Sequence, residues 1–511
     1  MNASLIQDVV GEVMRRLNAG GGSAPSGGET PRAGETPEAA KVGRDRQPSV
    51  HADGRYGIFD NVDAAVAAAA DAQKQLVRLS LEERDGIVKL IKEIAARNAQ
   101  EWGRIEFDET KIGRLDHKIE KLQILSLVPG VEYLQTNATS GSNGVCLEEF
   151  APFGVIGVIT PVTHSVPTLS ANAINMIASG NSIVANPHPS GTGCAVIAVR
   201  EYNKQIRAKY GIEHLITVIA PPTLRTAEEL FHHRGVNMLV VTGGPQVARA
   251  ALKASKRAIV AGPGNPPVVV DETACLKRAA ESIVKGAAYD NNLLCIGEKQ
   301  ILAVDSIVDK LIAEFQKVGG YLLNAQQIDA LTKQALPISP KDNQPHVHKD
   351  FVGRDASVLA QAAGVSVPPT TQLLIGETSF EHPFVQVEQM MPFVPIVRCR
   401  NVEEAMDRAI ESEHGYRHTA LIHSRNLDTI TKFGRRAGTT LFVVNGASMS
   451  GLGLGGEGYL SYSIATPTGE GITTPLTFTR YRRVMMAGAP GMIWENCDVC
   501  FAICNGLAAG K

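Results

Sequence analysis

One cysteine stands in the run Tyr289-Asp290-Asn291-Asn292-Leu293-Leu294-Cys295-Ile296-Gly297-Glu298, after a polar, turn-prone Asp-Asn-Asn and before an apolar, helix-compatible segment. That setting predicts a thiol at or near a helix start, where free backbone amides and the helix dipole favour the thiolate. An unperturbed thiol titrates near ~8.5, so a modest downward shift makes Cys295 a nucleophile at neutral pH. The competing reading is a buried structural cysteine packed as a small hydrophobe. A second chemistry-bearing stretch is Val240-Val241-Thr242-Gly243-Gly244-Pro245-Gln246-Val247, which reads as a strand, a glycine turn and a helix start. Backbone amides around Thr242, Gly243, Gly244 and Val247 would seat a diphosphate. There is no G-x-G-x-x-G fingerprint, so the glycines serve either a ligand or the turn alone. His188, in Asn186-Pro187-His188-Pro189, either faces the adenosine side of the same ligand or is a plain loop residue.

The elements needed to position these residues can be read from periodicity. Helices are predicted over 64–72, 81–102, 166–178, 194–210 and 226–232, and strands over 145–150, 154–160, 182–186, 215–219 and 238–242. Phe153 to Pro161 reads as a buried strand ending in a loop that holds Thr160 and Pro161. Strands alternating with helices imply an α/β fold with a parallel sheet, whose ligand lies beyond the carboxyl ends of the strands. The same alternation continues from 268 to 445 and predicts a second α/β domain. Gly451 to Gly458 forms a glycine-rich loop after it.

A chain of 511 residues exceeds what one core supports, so at least two domains are expected. The formal charge of −2 gives no reason to expect nucleic acid as a partner. No stretch approaches the roughly 20 apolar residues of a membrane span. The eight cysteines are scattered, which points to a reducing compartment. Leu5, Ile6, Val9, Val10, Val13, Met14 and Leu17 share one side of a helical wheel, so residues 1–18 read as a short amphipathic helix. Residues 19–50 read as a Gly/Pro-rich flexible linker. This leader is either a frayed tail or oligomer contact, or a tethered docking peptide. Cys497, Cys500 and Cys504 in the tail offer three metal-type ligands without a fourth, so no metal is assigned.

Five motifs occur in order: Pro152-Phe153-Gly154-Val155-Ile156-Gly157, Thr242-Gly243-Gly244-Pro245, Gly264-Asn265-Pro266-Pro267, Cys295-Ile296-Gly297-Glu298-Lys299 and Ala465-Thr466-Pro467-Thr468-Gly469-Glu470-Gly471. Together they resemble the aldehyde dehydrogenase superfamily, in its CoA-acylating branch, over roughly residues 56 to 484. The nearest resemblance is to the propionaldehyde dehydrogenases of bacterial microcompartments. It implies a Rossmann-type NAD-binding domain (51–132 and 152–270), a catalytic domain (271–456), an oligomerisation arm (133–151 and 457–486) and a C-terminal extension (487–511). It further implies NAD as cofactor, CoA as co-substrate and a homodimer or homotetramer. A bacterial cytoplasmic location inside a microcompartment follows, with residues 1–18 docking on shell or core proteins.

By the same resemblance Cys295 is the catalytic nucleophile and Glu388 holds the nicotinamide ribose. The hydrolytic branch carries a glutamate at the place of Ala261, where it activates water. Alanine cannot, so a Cys295 thioester would persist until a CoA thiolate takes the acyl group. His164 occupies the place of the family's oxyanion-donor asparagine. Its imidazole either donates to the oxyanion or accepts a proton from Cys295 or CoA. Leu293, Leu294 and Ile296 suggest a small pocket for a short aliphatic chain. Propionaldehyde is the expected substrate, with acetaldehyde or lactaldehyde, or hydrolysis to the free acid, as alternatives.

Overall fold

The structure, a computed structural model, describes residues 52–141 and 143–487. The expected docking helix at 1–18, the linker at 19–50 and the extension beyond 487, with Cys497, Cys500 and Cys504, lie outside the described residues.

The first sheet has six parallel strands in the order Ile58–Phe59, Ile216–Ile219, Ser182–Pro187, Val155–Thr160, Met238–Thr242 and Arg257–Ala261. Every residue of Val155–Thr160 and of Ser182–Pro187 is buried, the mark of strands covered on both faces. Helices Leu81–Arg97, Ser165–Ala178 and Thr192–Tyr210 pack one side, while Val62–Leu76 and Leu224–His232 pack the other. From Val155–Thr160 the chain builds outward on one side, then returns to place Met238–Thr242 on the other. The strand order therefore reverses beside Thr160, the position at which open parallel sheets place a ligand beyond the carboxyl ends.

The single helix expected over 81–102 is two. Asn98, at φ −95° and ψ 6°, ends one helix and precedes the next, Ala99–Thr110. Its side-chain amide donates to the Ile94 carbonyl, which closes the last turn of the first helix.

The second sheet has seven parallel strands, with Pro267–Val270 between Gln300–Val304 and Thr419–His423. The expected boundary after residue 270 is therefore displaced. The chain leaves the first sheet at Ala261 and has entered the second by Pro267, because the Pro-Pro-Val-Val-Val run is apolar enough to be a central strand. A three-stranded antiparallel sheet, Thr479–Ala487, Gly144–Pro152 and Asn137–Gly141, stands apart from both. Its outer strand exposes Tyr481, Met485 and Met486, while Arg482 and Arg483 pair with Glu149 and Glu148 at 2.6 Å each.

Candidate active site

Cys295 does not start a helix. Helix Leu276–Ala287 has already ended, and Asp290, Asn291 and Asn292 take left-handed backbone angles with φ of 49°, 55° and 64°. Asp and Asn tolerate this region better than other side chains with a Cβ. Each is anchored through its side chain. Asp290 Oδ1 accepts from the Arg114 amide at 2.8 Å, Asn291 Nδ2 donates to Asp355 at 2.8 Å, and Asn292 Nδ2 donates to the Glu298 carbonyl at 2.9 Å. The buried Lys299 ammonium donates to the carbonyls of Asn292 at 2.9 Å and Leu294 at 3.3 Å. The polar triplet is thus a pedestal for the loop that carries the thiol.

The half-buried Cys295 lies among the buried Leu293, Leu294 and Ile296. Burial pushes its thiol up to about 12, the Glu388 carboxylate adds to the rise, and Lys299 opposes it. The expected thiolate is corrected: desolvation outweighs the local amides, and the resting group is a thiol.

Gly264 shows how closely this loop is packed. A Cβ placed there would lie 2.6 Å from the Cys295 carbonyl oxygen and 3.0 Å from the His418 ring, and the Gly264 amide donates to Glu388 Oε1 at 3.3 Å. Gly264, Cys295, Glu388 and His418 therefore share one locus. Gly264→Ala is expected to displace the Cys295 loop by a sizeable fraction of an ångström and to lower kcat/KM by roughly 100-fold. Steady-state rates beside a thermal melt check this, because a loss explained by unfolding alone would contradict it.

His418 was not anticipated, and 122 residues of chain between it and Cys295 leave no local signal. It is fully buried, its Nδ1 faces the Thr419 hydroxyl at 2.8 Å, and its Nε2 has no partner. Burial, with Lys299 nearby, brings it down to about 4, so it is a neutral imidazole.

His164 sits at the N-cap of helix Ser165–Ala178, directly after the loop that follows Thr160. Its ring is buried, lies 5.8 Å from that of Tyr462, and has an unpartnered Nδ1. Burial first, then the charges of Lys121 and Lys118, hold it well below the ordinary histidine range. It is neutral, able to donate one N–H and unable to act as an imidazolium acid.

The two lysines belong to a buried charge network that the sequence reading also missed. Lys118 bonds Glu106 at 3.0 Å and the Thr163 carbonyl at 2.6 Å, and Lys121 bonds Asp290. Glu106 also accepts from the Val166 amide at 3.1 Å, placing a carboxylate at the positive end of the Ser165–Ala178 helix. One network therefore ties the His164 loop to the pedestal under Cys295.

The remaining candidates gather at the carboxyl edge of the first sheet. Thr160 ends its central strand and has a buried hydroxyl without a partner, with the half-buried Pro161 next to it. The exposed His188 follows the neighbouring strand, and its Nδ1 accepts from the Ser190 amide at 3.1 Å. Thr242 ends the strand on the other side of Thr160, and Gly244 caps helix Pro245–Lys253, which carries the half-buried Val247. A Cβ at Gly244 would meet nothing within 4 Å, and one at Gly243 only Ile159 at 4.0 Å. The fold itself does not require these glycines. Bare backbone over a helix N-terminus, beside an unsatisfied hydroxyl, fits a dinucleotide. Glu388 accepts from the Gly264 amide and lies on the Cys295 side of that turn. Among the described residues no group of three metal-type ligands occurs, and no helix is long and apolar enough to cross a membrane.

Residues 49–458 match the model of the aldehyde dehydrogenase family. An acetylating acetaldehyde dehydrogenase from Bilophila wadsworthia is 43% identical, over 84% of this chain and 90% of its own. A Rhodopseudomonas palustris propionaldehyde dehydrogenase, solved with bound CoA and an acylated cysteine, is 41% identical with a TM-score of 0.82, over 84% of this chain and 98% of that one. A propionaldehyde dehydrogenase from the Clostridium phytofermentans fucose utilisation bacterial microcompartment is 38% identical with a TM-score of 0.83, over 85% of this chain and 99% of that one. With a strand order that reverses beside Thr160 and Cys295 on a left-handed pedestal, the chain belongs to the aldehyde dehydrogenase family.

Proposed function

We propose that the protein oxidises a short-chain aldehyde with NAD and CoA, giving an acyl-CoA by way of a thioester on Cys295. The observation that carries this reading is the segment lying on the nucleophile. It begins at Ala261 and reaches Cys295 through Gly264, and it brings no side-chain base to activate water. The acetylating and CoA-bound relatives support the same chemistry.

In this reading the Cys295 thiol adds to the aldehyde carbonyl, and the neutral His418, with Nε2 free, takes the proton. The N–H of His164 and the Cys295 amide hold the oxyanion. NAD, when bound, accepts the hydride. Thr160, Pro161, His188, Thr242, Gly243, Gly244 and Val247 would hold the dinucleotide at the sheet edge, and Glu388 would bind its ribose. His418 gives its proton up to solvent, the acyl group then passes to the CoA sulfur, and the Cys295 sulfur leaves with the proton that CoA gives up. Exchange between two thiols is nearly thermoneutral, so metabolite concentrations set the direction.

Propionaldehyde and acetaldehyde are both candidate substrates, each named by a similar protein. The microcompartment relative supports a place inside such a shell, with residues 1–18 as the docking segment. The projecting sheet, with Tyr481 and Met485 exposed, is the candidate contact for a homodimer or homotetramer.

The test is NADH formation at saturating NAD with and without CoA. Sustained turnover is expected only with CoA, and a single burst without it. Equal turnover without CoA would place a water-activating base at the site, with Glu388 the first suspect.

A further inference from the structure

Helix Ser165–Ala178 is buried on every side, yet the face that begins at His164 is polar. His164, Thr168 and Asn172 follow one another at four-residue spacing, about 6 Å apart along the axis. The register is set by the Thr168 amide donating to the His164 carbonyl at 3.0 Å. Thr168 and Asn172 are 0% and 1% exposed. Three atoms on this face lack a hydrogen-bond partner: His164 Nδ1, Thr168 Oγ1 and Asn172 Nδ2. The other Asn172 amide atom bonds Ser463 at 3.1 Å, and Ser463 meets Thr242 at 2.9 Å. Whichever way the amide is turned, one of its atoms stays unpaired. Tyr462, next to Ser463, places its ring 5.8 Å from His164 and uses its hydroxyl on the Lys121 carbonyl at 3.0 Å, so it supplies a wall and no spare donor.

Buried polar groups are rarely left without partners, and a row of three beginning at the oxyanion position points to a ligand that completes them. We infer that the aldehyde seat is built for a short neutral aldehyde bearing a hydroxyl one or two carbons from the carbonyl, with Thr168 and Asn172 as specificity-determining residues. This rests on the aldehyde-oxidising reading of the site. With the carbonyl oxygen at His164, the next turn of the helix presents a hydroxyl that can both give and accept, and the turn after it an amide. A hydroxyl on the substrate matches both. A carboxylate on the substrate does not, because the two cations whose charge reaches His164 are already matched, Lys118 with Glu106 and Lys121 with Asp290. The wholly aliphatic pocket expected from Leu293, Leu294 and Ile296 describes only one wall.

The experiment compares kcat/KM for glycolaldehyde against acetaldehyde, and lactaldehyde against propanal, each per unhydrated aldehyde, with NAD and CoA. The full chain is used, together with Thr168→Val, Thr168→Ser and Asn172→Leu. The wild type is expected to favour the hydroxylated member of each pair by roughly tenfold or more, since a site that binds a hydroxyl rejects the analogue lacking it. Thr168→Val and Asn172→Leu should each shift the ratio toward the alkanal by roughly tenfold, and Thr168→Ser should keep it. A ratio taken within one preparation is independent of how much of it is folded. A wild-type ratio at or below one, or a ratio that neither substitution moves, would overturn the inference. The ratios are also read from the NADH burst without CoA. Turnover that ignores CoA would therefore refute acyl transfer while still scoring the hydroxyl preference.

Discussion

Cys295→Ala is expected to lower aldehyde-dependent NADH formation by about 10⁴-fold or more, with and without CoA, because no later step can proceed without the covalent intermediate. The cost in stability should be small, about 1 kcal/mol or less, since the side chain is half-buried and only one atom is removed. A mutant that melts with the wild type and still makes NADH would remove Cys295 from the mechanism. The same residue carries a pH signature. With burial and Glu388 holding the thiol near 12, alkylation of free enzyme by iodoacetamide should be much slower at pH 8 than that of an ordinary cysteine. It should rise roughly tenfold per pH unit up to about 11, the slope of a group far below its pKa. Cys295→Ala identifies that fraction of the labelling. The sign for stability follows from the raised value. The neutral thiol is the folded form, and its contribution is complete below the unfolded value near ~8.5 and lost as pH rises toward about 12.

Breaking the charge network beneath the site should have the largest effect on stability. Lys121→Met leaves the Asp290 carboxylate buried with only Lys118, 4.0 Å away, and the expected loss is about 3–5 kcal/mol. Activity should fall further than the folded fraction, since Asp290 opens the left-handed run under Cys295 and Lys121 also reaches the Thr163 carbonyl before His164. Pairing Lys121→Met with Asp290→Asn should recover part of the stability, because the uncompensated charge is then removed. Chemical denaturation of the two variants and the wild type measures this, and a loss below about 1 kcal/mol for Lys121→Met would show the pair to be dispensable. Burial alone would raise the Asp290 carboxyl, but Lys121 and Lys118 outweigh it and bring it to about 2. A depressed carboxylate stabilises above its unfolded value near ~3.9, and that contribution is lost as pH falls toward about 2. Acid unfolding of the wild type should show this limb, and Lys121→Met should flatten it.

Local pattern reached far in this chain. The all-apolar run at 155–159 is enough to make a covered parallel strand, and the Thr-Gly-Gly-Pro turn after Val241 is enough to stop a strand and start a helix, because both depend on neighbours in sequence. The order of the motifs, Cys295 among them, was likewise readable along the chain. What remained hidden depends on distant partners. Asp290-Asn291-Asn292 has the composition of a helix cap, and distant partners such as Arg114, Asp355 and Lys121 hold it in the left-handed region. The Cys295 thiol looked like an easy thiolate, and its proton is retained because Leu293, Leu294 and Ile296 close around it and Glu388 arrives from another element. His418 and the paired charges of Glu106 and Lys118 carry no motif at all. Their value comes from burial and proximity, which folding alone creates, so chain order can single out Cys295 but cannot state its protonation or the company it keeps.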